Sequence, residues 1–101
     1  MAEVLHLEDV QRGNRWISPC RTISKDDVAV FAHLTGDRNP LHEDGEFARQ
    51  SPFRQPVAHG LLGLSFTAGL SSESPLVDTV AFLGVSDWRF LKPVFFGDRV
   101  H

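Results

Sequence analysis

Residues 58–70 set the strongest limit on how this chain can fold. Leu61, Leu62, Leu64, Phe66, Ala68 and Leu70 recur there without leaving a polar face. A helix that is apolar on all sides has to be wrapped by other structure. Gly60, Gly63 and Gly69 each weaken such a helix by about 1 kcal/mol relative to alanine, but they let neighbouring backbone come close. A buried central helix over residues 58–70 is therefore expected, and the rest of the chain has to cover it. The main cover would be residues 77–91, rich in Val, Phe, Leu and Trp and expected as a long strand. Residues 15–23 are β-like, with Pro19 marking an edge or a bulge. Val100 and His101 would open a third strand. So few strands do not cover a helix about 20 Å long. The fold class expected is α+β, with C-terminal strands missing from the chain or supplied by other chains.

The remaining segments are punctuated by local signals. Ser24-Lys-Asp-Asp27 is a capping-box start with an acid three residues after the cap. Val28, Phe31, Ala32 and Thr35 follow on one helical face, and Gly36 supplies the left-handed stop. Residues 37–42 then form a loop leaving a helix, and residues 43–50 a short helical turn. Residues 51–56 hold two prolines and read as a loop. Residues 71–75 are a turn, Pro93 interrupts the strand region, and Gly97-Asp98 is a turn. Residues 1–14 form a polar lead-in.

A chain of 101 residues makes one small domain, marginal by itself. Its net charge of −3, with acids and bases interspersed, argues against nucleic-acid binding. The single cysteine, Cys20, rules out an internal disulfide and fits a reducing, cytoplasmic setting. The N-terminal residues lack a secretory leader's apolar core, and no apolar run is long enough to span a bilayer.

Chemistry concentrates in Asp37-Arg-Asn-Pro-Leu-His42 and Val57-Ala-His-Gly60. By spacing alone, an Asp after a helix-ending Gly is a turn residue and a nearby His a structural one. Asn39-Pro40 changes the balance, because proline stiffens the link and holds the preceding residue extended. A stiff loop carrying an acid, an amide and an imidazole suits acid/base work. Gly60 opens the apolar helix, whose first N–H groups have no internal partner and point outward. A metal would need three or four convergent ligands; Asp37, His42 and His59 lack the usual ligand spacings, so none is expected. His59 is read as orienting its loop or lining the site entrance, and His33 as solvated. Cys20 is read as a small strand residue, Arg89 and Lys92 as solvated cations, and Trp88 and Phe90 as core.

The pattern Phe-x-x-Leu-Thr-Gly-Asp-x-Asn-Pro-Leu-His-x5-Ala, from Phe31 to Ala48, resembles the signature of the MaoC-like dehydratases, the (R)-specific enoyl-CoA hydratases. Arg54-Gln-Pro-Val-Ala-His-Gly60 and Arg89-Phe-Leu-Lys-Pro-Val-Phe-Phe-Gly-Asp98 agree with it, so the likeness covers residues 15–101. The resemblance implies a hot-dog fold, an antiparallel sheet curled around a central helix. It implies hydration of a trans-2-enoyl thioester, with Asp37 and His42 catalytic. Gly60 would offer its N–H to the thioester oxygen, Asn39 would orient His42 or the water, and His59 would line the substrate site. No metal or redox cofactor is implied; CoA or an acyl carrier arrives as part of the substrate. A homodimer is the implied productive state. A hot-dog thioesterase and a non-catalytic pairing module remain as alternatives.

Overall fold

The computed structural model describes residues 3–101. Its first long helix is capped at Ser24. The Ser24 Oγ accepts the Asp27 N–H at 3.1 Å, and Asp27 Oδ2 accepts the Ser24 N–H at 2.9 Å. This reciprocal cap opens helix α1, Lys25–Thr35, and Gly36 ends it with φ 83°. Two short helices follow, α2 (Pro40–Glu43) and α3 (Gly45–Arg49). Asp44 caps α3 by accepting the N–H groups of Glu46 and Phe47 at 3.0 and 3.2 Å. The apolar helix is α4, Gly60–Leu70.

Two short strands, β1 (Arg21–Thr22) and β2 (Arg99–Val100), pair antiparallel with Arg21 opposite Val100. The Ile23 N–H continues the pairing to Asp98 O at 2.8 Å, and the Gly97 N–H returns to Ile23 O at 2.7 Å. Gly97, at φ 94°, makes the expected turn possible. A second seam joins Ala58 N–H to Val94 O at 2.8 Å, with Val57 bridging Phe95. Between these seams Ile23, Val28, Ala58 and Leu62 form the core, with Phe31, Phe66, Val94, Phe96 and Val100 packed on it. The lead-in is tied down too: Leu5 bridges Val77, and His6 lies 3.6 Å from Asp9 and 3.8 Å from Asp78.

Three expectations change. First, residues 77–91 do not form a strand; beyond Val77 they have no ladder partner among the described residues, and Val80 and Leu83 are 95% and 96% exposed. Strand-forming side chains favour extension, but a strand exists only where a neighbour takes its N–H and C=O groups. Trp88 and Phe90, expected in the core, are accordingly half exposed. Second, of residues 15–23 only Arg21–Ile23 pair; Pro19 has no N–H to give, and Cys20 is exposed just outside the strand. Third, α4 starts at Gly60 because Ala58 is already bonded to Val94. Only Leu62 of α4 is buried, and Leu61 is 62% exposed. The cover reaches one side of the helix. The radius of gyration is 16.4 Å, against about 13 Å for a compact chain of 100 residues.

The cap of α1 makes a pH-dependent contribution. The Ser24 backbone N–H chiefly holds the Asp27 carboxyl below its ordinary value of 3.8, opposed by partial burial and helped by the Ser24 hydroxyl and the Arg21 guanidinium. A carboxyl lowered by folding stabilises the fold in its ionised form, and that contribution is lost as the pH falls through the lowered value. Thermal melts should therefore show the wild-type advantage over Asp27→Asn complete near neutrality and shrinking once the pH drops below 3.8. An advantage independent of pH would remove the carboxylate from this role.

Candidate active site

The acid-bearing loop is built from local hydrogen bonds. Thr35 Oγ1 donates to Phe31 O at 2.7 Å and accepts the Asp37 N–H at 3.2 Å. Asp37 Oδ1 accepts the Asn39 N–H at 3.3 Å, and Asn39 Oδ1 accepts the Leu41 N–H at 2.9 Å. Pro40 occupies the first position of α2, where its missing N–H costs nothing. The Asn39 carbonyl oxygen of the side chain is thus committed to capping α2. Among the described residues that side chain makes no hydrogen bond to His42. The expected orienting of a water by Asn39 stands as an expectation, while the task of fixing that imidazole falls elsewhere.

It falls to the backbone of Val57. His42 Nδ1 lies 2.7 Å from Val57 O, a carbonyl that only accepts, so Nδ1 carries the proton. This leaves the Nε2 lone pair facing the site, 3.9 Å from Asp37 Oδ2. The His42 side chain is 14% exposed and the Asp37 side chain 53%. His59 is buried; its Nε2–H donates to Asp37 O at 2.9 Å, and its ring stacks on His42 with centroids 3.9 Å apart.

Gly60 is the first residue of α4, and its N–H has no backbone partner among the described residues. No acid occupies the first turn of α4, so the positive end of its dipole is not offset there. A Cβ on Gly60 would lie 3.0 Å from the Phe90 ring, which only glycine allows to pack this closely. Asp37, His42, His59 and Gly60 line one cavity of about 230 Å³, closed on its sides by Phe31 and Phe90. A larger, mostly apolar cavity of about 670 Å³ adjoins it through His42, Gly60 and Phe90, and extends along Leu41, Leu64 and Trp88. Arg89 and Lys92, expected as solvated, line its margin. Asn39 lines neither cavity.

The donor atoms of Asp37, His42 and His59 lie within 4.8 Å of one another. Each imidazole, however, has one nitrogen engaged by a carbonyl, the two rings are stacked on each other, and the second nitrogen of His59 is buried. The arrangement suits proton transfer better than tetrahedral coordination. Sequence reasoning placed Asp37, His42 and Gly60 together but missed Val57 O, which bears no side-chain signature, and the Phe90 ring over Gly60.

A family model described as MaoC like domain matches residues 11–101. The chain belongs to the MaoC-like family. It is 34% identical over 95 residues to the protein named MaoC of Klebsiella aerogenes, covering 94% of this chain and 28% of that protein. It is 42% identical over 74 residues to an (R)-specific enoyl-CoA hydratase of Aeromonas caviae, covering 73% of this chain and 54% of the other. The chain thus spans about half or less of the length of these curated relatives. A solved structure from Archaeoglobus fulgidus, described as a monoamine oxidase regulatory protein, superposes with a TM-score of 0.90 at 40% identity, over 98% of this chain and 69% of its own. The fold is the family's α+β hot-dog, with α4 as its central helix. Among the described residues, no helix is long and apolar enough to cross a membrane.

Proposed function

We propose that this MaoC-like chain hydrates trans-2-enoyl thioesters reversibly to (R)-3-hydroxyacyl thioesters. The observation that carries the reading is the shared cavity: Asp37, His42 and Gly60, whose N–H has no backbone partner among the described residues, all line it. The name of the Aeromonas caviae relative supports the reaction class. Asp37 and His42 hold one water between them. His42 Nε2 takes a proton as the water oxygen bonds to C3, and the C2–C3 π electrons move toward the thioester oxygen. Gly60 N–H, at the positive end of α4, stabilises the charge that develops there. His42 passes that proton to the Asp37 carboxylate, which delivers it to C2, so the base and the carboxylate both end as they began. The apolar cavity takes the acyl chain, and the CoA or acyl-carrier portion belongs to the substrate. This chemistry needs neither a metal nor a redox cofactor. A cytoplasmic setting is part of the same reading.

Loss of the enoyl absorbance of crotonyl-CoA, followed beside free-thiol release, tests the proposal and separates it from thioester hydrolysis. Asp37→Asn and His42→Ala should each lower hydration by about 10²- to 10⁴-fold in a folded chain. The double variant should be little worse, because both groups act on one water. Full activity in either single variant would remove the mechanism. Gly60 allows a cleaner comparison. Pro is tolerated at a first helical position, and His59 already has the extended backbone that precedes proline, with φ −59° and ψ 134°. Gly60→Pro and Gly60→Ala both press a Cβ toward Phe90, but only Pro removes the N–H. The Pro variant should fall below the Ala variant by about 10²- to 10³-fold; equal rates would dismiss the oxyanion donor.

A homodimer is the proposed working state. Val80, Phe82, Leu83, Phe90 and Leu91 are all more than half exposed, and residues 79–93 have no backbone hydrogen-bond partner among the described residues. Light scattering should return twice the chain mass at micromolar concentration. A stable monomer that still hydrates crotonyl-CoA would overturn the dimer.

A further inference from the structure

His59 is only 4% exposed, yet the proposed reaction gives it no proton to move. Its Nδ1 is buried without a hydrogen-bond partner among the described residues. A buried, unpaired ring nitrogen is a standing cost that a phenylalanine in the same space would avoid. It does not cap α4, although it stands at the cap position. What distinguishes it from phenylalanine is the Nε2–H on Asp37 O at 2.9 Å. What distinguishes it from an amide side chain is its flat face, stacked at 3.9 Å on His42 and backed by Phe31 at 4.9 Å.

The other tethers of the Asp37 loop are local. Asp37 itself is bonded to Thr35 and Asn39, two residues away in either direction, and Arg38 to Gly36, His33 and Glu43, none more than five residues away. The His59 bond spans 22 residues and anchors the loop to the body of the fold. His42 is anchored to the same place, since its Nδ1–H meets Val57 O. Both members of the acid/base pair therefore hang from one short segment, 57–59: the imidazole from Val57 O and the carboxylate's backbone from His59 Nε2. We propose that His59 is a positioning residue. It locks the Asp37 backbone to the His42 ring, so that carboxylate and imidazole keep the separation at which one water bridges them. The inference rests on the hydratase reading only for its kinetic readout.

Two variants divide the contacts. His59→Phe keeps the ring against His42 and Phe31 and loses the donor; His59→Gln keeps a donor in reach of Asp37 O and loses the stack. Each is measured in the full chain by crotonyl-CoA kinetics and by NMR order parameters of residues 37–39. His59→Phe should lower kcat by about 10²-fold with KM within about 2-fold, the pattern of misplaced groups and intact binding. It should also lower the order parameters of the loop. His59→Gln should restore loop order and bring kcat back to within about 10-fold of wild type. Wild-type kcat and loop order in His59→Phe would overturn the proposal. So would a rise in KM alone, which would mark a substrate contact. Should His59→Phe fail to fold, His59→Gln decides: loop order and kcat both retained support the tether, and both lost overturn it. A wild-type chain inert toward crotonyl-CoA would defeat the hydratase reading. The order parameters need no turnover and would then judge His59 by themselves.

Discussion

The backbone from Val57 to His59 holds the site and part of the core at once. Val57 gives its N–H to Leu41 O at 3.2 Å and its carbonyl to His42 at 2.7 Å. Ala58 gives its N–H to Val94 O. One extended stretch thereby joins α2, the segment before β2 and the start of α4. Both residues are buried, at 6% and 7% exposure, so these bonds are shielded from competing water. A shift here would move the imidazole, the helix N-terminus and the core together. That common origin lets a small domain hold an acid, a base and an N–H donor around one cavity.

Burial around α4 is lopsided. Ile23, Val28 and Ala58 seat Leu62 on one side, while Leu61 on the other side is mostly in solvent. Each large apolar side chain left exposed forgoes roughly 1.5–3 kcal/mol of burial. Several such residues amount to a large part of the stability available to a domain of this size. The shape is elongated, 52 × 29 × 25 Å; Val80 and Leu83 stand almost fully in solvent, while Phe90 reaches back to pack on Gly60 of α4.

The site divides its labour by environment. His42 is mostly buried and fixed in one tautomer by a carbonyl, so its lone pair is aimed. Asp37 keeps about half its surface in water, which suits a group that must bind and release a water molecule. The N-terminus of α4 contributes partial positive charge with no acid beside it. The Asn39 side chain caps α2 and so sets where the helix turn carrying His42 begins.

Short-range order was legible in the residues alone. Ser24, Asp27 and Gly36 bounded α1 because caps act over three or four positions. Gly97 marked its turn through a φ that other residues resist. The Asp37–His42 loop and Gly60 could be paired as one site because the family pattern ties them together. Residues 77–91 show the opposite case: their composition asks for a strand, but a strand is a relation between two segments, and its partner is a tertiary matter. The same holds for Val57 O on His42, His59 on Asp37 O and Phe90 over Gly60. The sequence by itself determined α1, α4, the turns and the chemical groups of the site, since each depends on neighbours a few residues away, whereas residues 40–43, read as loop, close into α2 under the Asn39 cap. Only the tertiary structure decided which nitrogen of His42 is free, what anchors Asp37 and which face of α4 is covered, because those contacts join residues far apart along the chain.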